Sequence, residues 1–188
     1  MTIKPVPPQA IFILGALFIP FLKGKIKSLY MLFLPVLAFM SLLAMPQGKY
    51  WTYQFMNYEL VFGRVDRLSM IFLYIFVIIT FIGIIYALHT KDDLQHVAAF
   101  QYAGSALGVT LAGDLFTLYI FWELMAICST ILVWSRRIER SRRAGFRYFT
   151  WHFVGGLCLL AGIILYVNTR GTITFDYIGL SDTACSIF

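Results

Sequence analysis

The sequence predicts an all-α, polytopic membrane protein, and three observations carry that prediction. Hydrophobic residues make up 60% of the 188 residues and charged residues 13%, against roughly 45–50% and 25% in soluble domains. Mean hydropathy is +0.80; a water-soluble fold with this composition would expose large apolar patches, and a disordered chain is excluded by the same figures. The apolar residues also gather into long runs separated by short charged segments. Six of these runs approach the roughly 20 residues an α-helix needs to cross a bilayer. No ten-residue stretch alternates with period two, which argues against a β-barrel.

The runs are justified in chain order. Pro8–Leu22 is short and interrupted by Gly15 and Pro20, but Lys23, Lys25 and Lys27 follow it and extend its reach by snorkelling. That positive cluster follows the apolar stretch instead of preceding it, and no small-x-small site is present, so a signal peptide is rejected. Leu29–Met45 ends at Pro46. Leu68–Leu88 is apolar almost throughout, with Asp66 and Arg67 at its start as a cap or interfacial pair. Leu94–Ala112, Leu115–Ser135 and Gly145–Val167 complete the six, with Asp114 placed to cap the fifth. Asn168–Phe188 is polar and glycine-punctuated and reads as loop. Residues 1–93 thus hold three leading helices, 94–167 helices four to six, and 168–188 a C-terminal tail.

The basic residues alternate cleanly between the two sides of this arrangement. Lys23, Lys25, Lys27, Lys91, Arg136, Arg137, Arg140, Arg142, Arg143 and Arg147 fall on one side. The other holds Lys4, Lys49, Arg64, Arg67 and Arg170. The positive-inside rule then places the N-terminus outside; the expected location is a bacterial cytoplasmic (inner) membrane. A net charge of +6 needs no nucleic acid to explain it, since no basic stripe is interleaved with exposed aromatics. Cys128, Cys158 and Cys185 form no CxxC and read as small packing residues. His89 and His96, beside Asp92 and Asp93, lack a repeating ligand spacing, so no metal site is expected. No phosphate loop, HExxH or GxSxG is present, and neither a cofactor nor catalytic chemistry is expected in this chain.

Two features point to function. Gly104, Gly108 and Ala112 recur every four residues and form a small-residue stripe that admits a second helix backbone, a packing interface. Glu123 lies about 14 Å along its helix from Asp114 and about 20 Å from Arg136, near the bilayer middle. An ionisable group there costs roughly 2.5–3.5 kcal/mol on insertion scales and is by default a proton relay, ion site or counter-charge. The alternative is a buried glutamate hydrogen-bonded across helices for structure. Tyr119 and Thr130 share its face, and every Lys and Arg lies in a loop or near a helix end. His152 on the sixth helix is a candidate relay between Glu123 and the basic side; it is equally a histidine bonded across helices.

The stretch GDLFTLYIFWELMAICSTILVW and the later RAGFRYFTWHFVGGLCLLAGIILY resemble the antiporter-like subunits. This family is shared by Mrp cation/proton antiporters, respiratory complex I and membrane-bound hydrogenases. FGRVDRLSMIF, from Phe62 to Phe72, is similar to the opening of their third helix, and the D-type member of the Mrp set is the nearest likeness. The resemblance implies that Glu123, in Phe121-Trp122-Glu123, is the proton carrier of the fifth helix, and that the N-terminus faces outside. It also implies a pairing lysine on a seventh helix. The sequence ends after the sixth, so a partner chain is expected to supply the later helices and that lysine; otherwise the chain is a truncated relic. Three functions follow: a subunit of an Mrp-type antiporter exchanging protons for a monovalent cation, Na⁺; a proton-pumping subunit of a complex I-like or hydrogenase redox complex; or a structural subunit that lends helices to an assembly.

Overall fold

The computed structural model describes residues 6–55 and 58–175. Six α-helices and one β-hairpin follow in the order α1 (Pro8–Ala16), α2 (Gly24–Leu43), β1 (Gly48–Phe55), β2 (Tyr58–Val65), α3 (Arg67–Ala87), α4 (Asp93–Leu111), α5 (Leu115–Trp134) and α6 (Glu139–Arg170). The helical prediction holds for all six runs, and the hairpin corrects the expectation of an all-α chain. Its strands pair antiparallel, with Gly48 opposite Val65 and Phe55 opposite Tyr58. Val61, Gly63 and Val65 are buried at alternate positions of β2, the period of a strand in a run too short to stand out in the sequence.

Among the described residues, four helices are long and apolar enough to cross a membrane: α2, α3, α5 and α6. The first and fourth expected spans differ for separate reasons. α1 stops at Ala16 and a 3-10 turn, Ile19–Phe21, follows; nine helical residues cover about 14 Å, half of a hydrocarbon core. α4 is long but less apolar, because it is the helix that α1, α3 and α5 surround. His96, Ser105, Gly104 and Gly108 are buried on it. A helix that faces protein instead of lipid tolerates small and polar residues that lend themselves to close packing.

The helix ends are set by identifiable chemistry. Asp66 caps α3 by accepting from the Ser69 backbone N–H at 2.7 Å, and the Ser69 hydroxyl accepts from Asp66 N at 2.8 Å, a reciprocal box that satisfies two orphan groups. That backbone N–H, above all, holds the Asp66 carboxyl below the usual carboxylate range. α6 begins at Glu139, six residues before the expected start, where Glu139 pairs with Arg142 and Arg143 one turn on. It ends at Arg170, and the capping Gly171 that follows is left-handed at φ 70°, a conformation glycine adopts without strain.

The basic loops gather at one end. Lys27 pairs with Asp93, and Arg137 with Asp92 at 3.4 Å, which ties the start of α2 and the α5–α6 connection to the start of α4. The hairpin occupies the opposite end with Asp114 and Ile173. Of the tail, α6 takes in residues up to Arg170, Thr174 bridges to Asp114, and residues 176–188, with Cys185, lie outside the described residues.

Candidate functional site: an unpaired carboxylate between two helices

α5 carries two carboxylates in opposite circumstances. Asp114, its N-cap, is fully buried. Its Oδ1 accepts from Thr117 N at 2.8 Å. Its Oδ2 accepts from the Thr117 hydroxyl at 2.6 Å and from Val61 N at 2.7 Å. Four donors at a helix N-terminus are otherwise orphaned, and here one side chain serves both that terminus and the hairpin.

Glu123 lies nine residues further along α5. Its Oε1 is buried and has no hydrogen-bond partner among the described residues. Among the described residues it forms no ion pair. The surface it meets is the glycine face of α6: a Cβ built on Gly156 would stand 1.9 Å from Oε1 and 3.0 Å from the carboxyl carbon. A buried polar atom without a partner costs about 1–3 kcal/mol and calls for an explanation.

His152 precedes Gly156 by one turn of α6, about 6 Å towards the basic end. It is half-buried and its ring lies 4.8 Å from Tyr148 and 6.2 Å from Trp122 between centroids. The structure therefore brings His152 to the same α5–α6 seam as Glu123, beside the neighbour of Glu123 in sequence. It does not join the two by a hydrogen bond among the described residues. Thr130, read as sharing the Glu123 face, turns its hydroxyl to Ala126 O at 2.8 Å and is spoken for.

The small-residue stripe of α4 is used within the chain. A Cβ on Gly104 would meet Ile13 and Phe12 of α1 at 2.8 and 3.1 Å, and one on Gly108 would stand 2.3 Å from the Phe121 ring of α5. Ala112 is buried beyond them. Phe121 and Trp122 are thus anchored on either side of the seam, one in α4 and one against His152, and Glu123 follows them. Sequence reasoning missed the pairing of Gly156 with Glu123, because Gly155, Gly156 and Gly162 look alike in the chain. It also missed the reach of Asp114 to Val61, which needs the hairpin. No cluster of His, Cys, Asp or Glu able to hold a metal is found among the described residues.

Fold and site together define an integral membrane protein of helical type with a carboxylate held inside its helix cluster. Residues 112–186 match the family model described as NADH:quinone oxidoreductase/Mrp antiporter, TM, and this part of the chain is similar to the antiporter-like subunits that its fifth and sixth helices resemble. Similar proteins include the A component of the Na(+)/H(+) antiporter of Bacillus subtilis, 35% identical over 49% of this chain and 12% of that protein. The M component of the NADH-quinone oxidoreductase of Buchnera aphidicola is 28% identical over 68% of this chain and 31% of its own length. The Mrp complex from Dietzia sp. superposes with a TM-score of 0.77 at 22% identity, over 94% of this chain and 21% of that one; at that identity it shows the fold. The chain thus spans under a third of these curated relatives.

Proposed function

We propose that this chain acts in a multi-subunit Mrp-type cation/proton antiporter, with Glu123 as the proton carrier on the path. The observation that supports this reading is the buried Oε1 without a partner in the middle of an apolar helix. Desolvation disfavours the charged form of such a group and an incoming cation favours it, so a positive side chain that approaches and withdraws would load and unload its proton. The lysine that does so comes from the helices that follow in the relatives, on the same polypeptide or on a neighbouring one. His152 passes protons between the basic end and the Glu123 seam. The exchanged ion is a monovalent cation, Na⁺, in keeping with the name of the Bacillus relative. All six helices lie in the bilayer, α1 and α4 shielded by the rest, with the N-terminus outside and the basic loops in the cytoplasm of a bacterium.

A second reading has its own support. Similarity to NADH-quinone oxidoreductase relatives supports a redox assembly as the setting of these helices, and an archaeal sulfane sulfur reductase complex shares the fold (TM-score 0.75, 17% identity). There quinone or sulfur chemistry on other subunits would drive the path. One experiment addresses both. Glu123→Gln is introduced into the intact complex, and proton movement in everted vesicles is followed on a Na⁺ pulse and on addition of an electron donor. The antiporter reading expects Na⁺-driven movement that Glu123→Gln abolishes. Donor-driven movement without a Na⁺ response favours the redox reading, and wild-type movement in Glu123→Gln removes Glu123 from the path.

A further inference from the structure

We infer that Gly156 is the positioning residue for the Glu123 carboxylate, a conclusion that rests on the proton-carrier reading above. The three atoms nearest a Cβ at position 156 all belong to Glu123: Oε1 at 1.9 Å, the carboxyl carbon at 3.0 Å and Oε2 at 3.5 Å. No backbone or other side chain comes as close. The missing side chain therefore makes room for the carboxylate itself and not for the approach of two helices.

The surrounding glycines sharpen this. Gly155 and Gly162 have nothing within 4 Å of a built Cβ, so alanine fits at either without contact. Gly156 does not adopt the positive φ that only glycine accepts readily. In the interior of a helix glycine is less favourable than alanine, and here neither backbone conformation nor helix packing accounts for it. What accounts for it is the oxygen it faces. A methyl group at 156 collides with the tip of a flexible side chain, which turns away, so the fold is kept while the carboxylate leaves its seat. The seat of the proton carrier against α6 is lost with it.

The test is a double-mutant cycle in the complete complex: Gly156→Ala, Glu123→Asp and the pair, with Gly155→Ala as control. Aspartate draws the carboxyl back by about 1.5 Å, one bond, and clears position 156. Gly156→Ala is expected to slow Na⁺-dependent proton transport about tenfold or more in the Glu123 background, as misplacing a reacting group does. In the Asp background it adds no further loss, because the collision is gone. Gly155→Ala transports as the native chain does. A second readout does not need transport. The infrared carboxyl band that disappears in Glu123→Gln shifts on Gly156→Ala in the Glu background and stays put in the Asp background. An unmoved band in the Glu background, or equal transport losses in both backgrounds, overturns the inference. Wild-type transport by Glu123→Gln would instead bring down the proton-carrier reading, and the band would still decide what Gly156 does.

Discussion

Asp114 and Glu123 stand about 14 Å apart on one helix, and they show two ways a membrane protein can keep a carboxylate. Asp114 meets three donors, closes the start of α5 and fastens it to the hairpin. Glu123 has an oxygen buried against a glycine, with no hydrogen-bond partner among the described residues. Burial alone does not distinguish them, since both have buried oxygens. Satisfaction does. A fully bonded carboxylate can neither accept a proton nor change partner without dismantling its surroundings, whereas an unpaired one is free to do both.

Substitutions can break or sharpen that contrast. The largest effect is expected at Glu123: Glu123→Gln lowers proton transport by about 10²–10⁴-fold, the range typical of a lost proton-transfer group, with the assembled complex recovered in normal amount. Asp114→Asn is expected to act on stability instead. Both of its oxygens accept, so an amide must present N–H groups to a donor, and a loss of about 1–3 kcal/mol follows. The thermal midpoint in mild detergent falls, while transport per assembled complex is kept. Gly108→Ala drives a methyl into the Phe121 ring and is expected to cost about 1–3 kcal/mol by overpacking, read in the same melt. Asp66→Ala removes the α3 cap at a cost of about 1 kcal/mol. Because the Asp66 carboxyl is held below its ordinary range, its contribution is present above the unfolded value of about 3.9 and fades as pH falls through the folded one. The melting difference between Asp66→Ala and the native chain should therefore close in acid.

How much of this could be read from the sequence follows from what each residue is responding to. α3 and α5 were legible because a continuous apolar run bounded by Asp66 or Asp114 has few alternatives in lipid. Glu123 was legible because a charge in such a run is expensive. The central place of α4 was not, since helices that face protein and helices that face lipid draw on nearly the same apolar residues. The hairpin was hidden because its alternation is short: Trp51, Tyr53 and Phe55 alternate with Thr52 and Gln54 in one strand, and Val61, Gly63 and Val65 are the buried alternate positions of the other. The seat of Glu123 was out of reach for a simpler reason: which of Gly155, Gly156 and Gly162 faces it depends on the rotation of one helix against another.

The most direct test of the contrast is carbodiimide labelling of the intact complex in native membranes, with Glu123 and Asp114 followed by peptide mass spectrometry across pH. A carbodiimide attacks protonated carboxyl groups shielded from water. The account predicts that Glu123 is modified, that Na⁺ protects it, and that Asp114 stays unmodified throughout. Equal labelling of the two, or a Glu123 inert at every pH, would contradict the claim that one carboxylate carries protons and the other only holds the fold.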